Sequence, residues 1–164
     1  MVKETFLKVR SINEHIKQLP GICKPTEAIC FESTIIDDEL KKLVGKLYAD
    51  GHYTRAVEEA FKFVNNLVKN NAGLDSALDG AKLMNYVLNA NNPILKLNAC
   101  LTQSELDEQL GYMQICAGCM TGIRNPRAHE HKIRDSKHKA LQFLILADHL
   151  IEKIKMATCT NALK

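Results

Sequence analysis

Apolar residues recur every three or four positions along most of this chain, the spacing of one buried helix face. The run is clearest at Tyr53, Ala56, Val57, Ala60, Phe61, Val64, Leu67 and Val68, with Arg55, Glu58, Glu59, Lys62, Asn65 and Asn66 on the rest of the circumference. Before it, Asp37 and Asp38 open a shorter helix carrying Leu40, Leu43, Val44, Leu47 and Tyr48, which Asp50-Gly51 closes, so the two elements predict a helical hairpin. Residues 76–89 repeat the pattern through Ala77, Ala81, Leu83, Met84, Val87 and Leu88 until Asn91-Asn92-Pro93 breaks it. Thr102-Gln103-Ser104-Glu105 has capping-box spacing and opens a helix through Leu106, Leu110, Met113, Cys116, Met120 and Ile123. A last helix carries Ala140, Phe143, Leu144, Ala147, Leu150, Ile151 and Ile154, with Asp135 or Ser136 as its cap.

Toward the amino end, Phe6, Val9, Ile12, Ile16 and Leu19 fit one more helix before Pro20-Gly21 and Pro25 interrupt the chain. Strand alternation is scarce, and no repeat or low-complexity tract divides the sequence. The expected fold is therefore all-α: an up-and-down bundle of four to five core helices with an extra N-terminal helix. Residues 1–35 would form that helix and an irregular connector, residues 36–158 the helical domain, and residues 159–164 a tail.

The 164 residues, 46% hydrophobic, suffice for one core without disulfides. No apolar run approaches the 18 or so residues of a membrane span, and the amino end has no uninterrupted apolar leader. A cytoplasmic protein with no membrane partner is expected. The cysteines at 23, 30, 100, 116, 119 and 159 then read as reduced thiols packed as small apolar groups. Gly-rich phosphate loops, a Gly-x-Ser-x-Gly elbow and His-Glu-x-x-His are all missing, which removes support for nucleotide-dependent and serine-hydrolase chemistry.

The net charge of +3 is uneven. Residues 1–120 hold 13 Lys/Arg against 15 Asp/Glu, whereas residues 121–164 hold 9 against 4 together with four of the six histidines. Such a local basic region attracts a polyanion that the total charge would not. Within it lies Arg124-Asn125-Pro126-Arg127-Ala128-His129. An arginine supplies a permanent cation, a histidine a base near neutral pH, and the asparagine a polar orienter: the groups that phosphodiester cleavage needs. The same residues also suit a simple helix start, with Asn125 as cap and Pro126 in the first turn.

That hexapeptide resembles the Arg-x4-6-His motif of the HEPN superfamily, including its polar residue after the arginine. The chain is similar to the Ymh-like bacterial branch of that superfamily over residues 37–157. The likeness is carried by Leu47-Tyr48-Ala49-Asp50-Gly51-His52-Tyr53, Ala56-Val57-Glu58-Glu59-Ala60-Phe61-Lys62, Gly80-Ala81-Lys82-Leu83-Met84 and Gly122-Ile123. The resemblance implies a HEPN-like bundle that dimerises with two motifs in one cleft. It also implies a metal-independent endoribonuclease, without cofactor, in a toxin–antitoxin, abortive-infection or antiviral defence setting.

Under that resemblance Arg124, Asn125 and His129 would be catalytic, and Arg127, Lys132 and Arg134 would bind RNA. Glu58, Glu59, Lys62, Asn66 and His131 are supporting candidates, and an antitoxin protein is a possible partner beside RNA and a second copy. His129 would exchange protons with the 2′-hydroxyl or the leaving oxygen. Arg124 would hold two phosphate oxygens. Two other readings stay open: a noncatalytic helical dimer that binds RNA or protein, and a zinc-bound regulator using Cys116, Cys119, His129 and His131.

Overall fold

A computed structural model describes residues 27–75, 77–130 and 132–160. The amino-terminal helix expected from Phe6 to Leu19 lies outside these residues, as does His131. Contacts divide the chain into Met1–Cys30 and Phe31–Lys164, and the core belongs to the second unit.

Helix α1 spans Glu27–Thr34, α2 Asp38–Ala49, α3 Tyr53–Asn71 and α4 Gly80–Val87. A two-residue strand β1 at Leu95–Lys96 precedes α5 at Gln103–Cys119. A π-helical turn, Met120–Arg124, leads into the short α6 at Asn125–His129. Helix α7 covers Lys137–Lys155, and β2, Thr158–Cys159, pairs antiparallel with β1. The described fold is all-α apart from that strand pair.

Helix α3 occupies the centre of the bundle. Ala56, Val57, Ala60, Phe61, Val64 and Val68 are all fully buried, and the helix packs on α2, α4, the π turn and α7. The predicted hairpin of α2 and α3 forms, with Gly51 at φ +81° supplying the left-handed residue that lets the chain reverse. Tyr48 packs at the turn end of the hairpin, stacking on Phe31 at 4.9 Å and meeting Tyr53 edge-on at 5.4 Å.

Helix α7 fastens the start of α2. Asp37 caps α2 by accepting from Glu39 and Leu40 N–H, and it also pairs with Lys155 at 2.6 Å. The buried Asp148 carboxylate accepts from Ile36 N–H at 3.0 Å and Asp37 N–H at 2.9 Å. Asp148→Ala strands both donors where water reaches them poorly. A loss of about 1–3 kcal/mol is expected, visible as a lower denaturant midpoint at unchanged slope.

Two boundaries differ from the pattern-based expectation. Helix α4 starts at Gly80 rather than near residue 76, because Gly80 at φ +60° interrupts helical geometry and Asn65 Oδ1 accepts its N–H at 2.9 Å. Residues 159 and 160, expected to begin a tail, are held: Cys159 faces Leu95 across the strand pair and Thr160 N–H donates to Ile94 C=O. The Gln109 side chain anchors this corner, donating to Leu88 and Leu95 carbonyls and accepting from Leu97 N–H. A fully buried amide needs that many partners. None of the described helices is long and apolar enough to cross a membrane.

Candidate active site

Thr102 and Glu105 form the reciprocal capping box that the spacing predicted, and α5 runs from it toward the motif. Residues 124–129 were expected between two helices, with Asn125 as a cap. Instead the chain stays helical through them: Asn125 has φ −60° and ψ −44°, and its N–H reaches back five residues to Met120 C=O. Pro126 explains the widening. In a regular α-helix its ring would collide with the carbonyl four residues back and leave that carbonyl unbonded; a π turn just before it relieves both problems. The motif is thus the last turn of one helical run, ending where Glu130 becomes extended at φ −109°, ψ 106°.

This geometry separates the two central side chains. At about 100° per residue, positions five apart lie roughly 140° apart around the axis. Arg124 leans into the bundle with a side chain only 19% exposed, while His129 is exposed and its ring has no partner among the described residues. Asn125 is partly exposed, and its side chain makes no hydrogen bond among the described residues.

Arg124 meets a group the sequence reading did not select. Its Nη1 donates to Asp79 Oδ2 at 2.9 Å, and Asp79 Oδ1 accepts from Asn65 Nδ2 at 2.6 Å. Asn65 Oδ1 in turn takes the Gly80 N–H. Arg124 Nε is enclosed and unpartnered. Asn66, the candidate proposed from α3, is exposed, whereas Asn65 is buried at 2% exposure. The signal was present: Asn65 stands four residues after Phe61 and three before Val68, within the apolar stripe rather than opposite it.

Arg127, expected to contact RNA, is buried and fully engaged. Its Nε and Nη2 each lie 2.7 Å from an Asp135 oxygen, Nη1 donates to Ile123 C=O, and the guanidinium sits 4.5 Å from the Phe143 ring centroid. The reason is the seven-residue loop return, which lays Asp135 against the motif helix and fastens it to α3 through its N–H to Thr54 Oγ1 at 3.0 Å. Burial alone would raise the Asp135 carboxyl, yet hydrogen bonds and charge from Arg127, with Lys139 at 3.6 Å, hold it below its ordinary value.

Lys132 and Arg134 remain exposed on the loop, and Arg134 borders a cleft of about 340 Å³ with Gly51, His52, Tyr53, Thr54 and Arg55. Among the other supporting candidates, Glu58, Glu59 and Lys62 are joined with Arg55 in an ion-pair ladder along α3, at 2.6–3.2 Å. They are bound to one another, and no contact brings them to Arg124 or His129.

The zinc grouping does not assemble. Cys116 and Cys119 face the core at 1% and 5% exposure, and ten residues of continuous helix put His129 on the order of 15 Å beyond Cys119. Burial pushes the Cys116 thiol up to about 12 and the Cys119 thiol to about 11. A thiol reagent at pH 8 is therefore expected to modify Cys100 and Cys159 in the native protein and to spare Cys116 and Cys119 until it unfolds, read site by site by peptide mass spectrometry.

No curated protein and no solved structure matches the chain. The family model for Hypoth_Ymh, described as a protein of unknown function, matches residues 35–154. That span takes in α2 through nearly all of α7, including the whole of residues 124–129, and the chain belongs to the Hypoth_Ymh family.

Proposed function

We propose that this protein is a metal-independent endoribonuclease of the HEPN type, in which Arg124 and His129 act on the RNA phosphodiester. The observation that carries this reading is the end of the α5–α6 run. An arginine held at a fixed place and an exposed histidine with no partner among the described residues stand five positions apart there, on different sides of the helix and beside a loop presenting Lys132 and Arg134.

His129 takes the proton of the RNA 2′-hydroxyl, whose oxygen attacks the adjacent phosphorus. The P–O5′ bond breaks, and a protonated histidine returns a proton to the departing 5′-oxygen. Arg124 stabilises the extra negative charge on the phosphorane, and Asn125 orients the phosphate. The products are a 2′,3′-cyclic phosphate and a 5′-hydroxyl. Lys132 and Arg134 hold neighbouring phosphates without reading sequence.

A homodimer completes the arrangement. Arg124 and His129 of one chain diverge around the helix, so a second copy supplies the complementary acid and faces both motifs onto one cleft. The outer side of α5 supports this. Leu110 and Ile115 are 39% and 45% exposed there, and Gly111, Gly118 and Gly122 have nothing within 4 Å of an added Cβ. A glycine inside a helix costs about 1 kcal/mol relative to alanine, and nothing among the described residues calls for these three. Close approach of a second helix would. A cytoplasmic toxin or phage-defence role, with an antitoxin protein as neutralising partner, fits such an enzyme.

Incubation with a mixed RNA substrate in excess chelator tests the activity: cleavage lost in both Arg124→Ala and His129→Ala is expected, and a fully active His129→Ala protein would refute the chemistry. A second reading, a noncatalytic helical dimer gripping RNA or protein, draws on the Asp79 carboxylate already resting on Arg124. Binding of RNA without any cleavage would favour it.

A further inference from the structure

We infer that Asp79 and Asn65 are positioning residues for Arg124, fixing which edge of its guanidinium is offered to a phosphate; this rests on the reading of Arg124 as the phosphate-holding cation. The relay is continuous from the core outward. Asn65, buried in α3, bonds both the Asp79 carboxylate and the Gly80 N–H, so the acid is fixed through its side chain and through the backbone that follows it. Gly80 holds a left-handed φ of +60°, which lets the chain turn into α4 directly after the acid. Asp79 then receives Arg124 Nη1 at 2.9 Å.

The donor count shows what this achieves. Arginine has five N–H groups. In Arg124 the Nε–H is enclosed and one Nη1 hydrogen is directed at Asp79, which leaves Nη2 and the second Nη1 hydrogen for a ligand. A free arginine on a helix end would sample many rotamers, whereas this one is committed before RNA arrives, and such preorganisation is worth most in the transition state. Asp79 is itself half exposed, so it stands at the rim of the site rather than in the core. Its position was invisible to periodicity because it lies in the connection between α3 and α4, and nothing in the sequence marks it as the partner of a residue 45 positions away.

The test uses the full-length protein and three exchanges. Asp79→Ala is expected to lower kcat by about 10- to 100-fold with KM changed less than threefold, since a displacement near 1 Å can cost about that much. Asp79→Asn alone leaves one acceptor for two donors, so its amide N–H opposes either Asn65 Nδ2 or Arg124 Nη1, and it is expected to lose activity too. The exchanged pair Asp79→Asn with Asn65→Asp matches every donor to an acceptor again and is expected to recover most of kcat. Rotation of the Arg124 guanidinium about Cζ–Nε, followed by nitrogen-15 NMR, gives a readout independent of catalysis. It should be slow in the wild type and the exchanged pair, and fast in Asp79→Ala. Equal rotation in wild type and Asp79→Ala would overturn the inference, and so would an Asp79→Ala protein with wild-type or higher kcat. A wild-type protein that cleaves no RNA would refute the nuclease reading instead, while the rotation measurement would still decide whether Asp79 holds Arg124.

Discussion

Replacing His129 with alanine is expected to lower metal-independent RNA cleavage by about 10²–10⁴-fold, the usual yield of a positioned proton-transfer group. Thermal stability should not change, because the ring is exposed and bonds nothing among the described residues. Arg124→Ala is expected to cost at least about 10²–10³-fold, the loss seen when one transition-state donor is removed, but it also leaves Asp79 without its partner. Arg124→Lys should recover little: a single ammonium on a flexible stem cannot both face Asp79 and present a planar edge to a phosphate. Initial rates on a fluorescent RNA, together with melting curves for each variant, separate a chemical defect from a folding defect. Matched stability with lost activity is the predicted pattern for His129→Ala, and unchanged activity would refute its role.

The second large effect concerns the Arg127–Asp135 pair, which fastens the motif helix to the loop behind it. Side-chain exposures of 4% and 0% mean that removing either partner leaves an uncompensated charge in the interior. Such losses run to about 3–5 kcal/mol. In a domain of this size that corresponds to a Tm drop on the order of 10–20 °C, with Asp135→Ala also losing the charge partner of Lys139. The pH dependence follows from the depressed Asp135 carboxyl. With a folded value below the unfolded one, its stabilisation is complete above the ordinary carboxylate range near 4. It declines as pH falls below that range and is lost once pH passes the folded value. Chemical denaturation between pH 7 and 3 should therefore show a steep acid limb in the wild type and a shallower one in the Arg127→Met, Asp135→Leu double variant, which carries neither charge. A wild-type limb no steeper than the double variant's would contradict this account.

The fold was legible wherever burial follows a three-to-four spacing. The stripes of α3 and α7 and the capping box of α5 appear as the pattern requires, whereas Leu43 of the expected α2 stripe and Leu110 of the expected α5 stripe are 41% and 39% exposed. The site was legible only in part. Arg124 and His129 could be singled out as candidates because the motif is local, but the surroundings of their neighbours depend on partners far along the chain. Arg127 looked like a surface cation because charge in a basic segment is read as exposed; Asp135, eight residues later, cancels it. Asn65 looked solvent-facing because amides usually are, although its place among Phe61, Val64 and Val68 argued otherwise. The π turn was hidden because Pro126 signals a helix start as readily as a helix that widens to admit it.

The proposed nucleophile is the RNA's own 2′-hydroxyl, with Arg124 and His129 serving the displacement. End-group analysis of RNA cut in excess chelator tests it most directly. The expected products carry 2′,3′-cyclic phosphate and 5′-hydroxyl termini, absent from reactions of Arg124→Ala or His129→Ala. Termini bearing a 3′-hydroxyl and a 5′-phosphate, or no cleavage of any RNA by the wild-type protein, would contradict it.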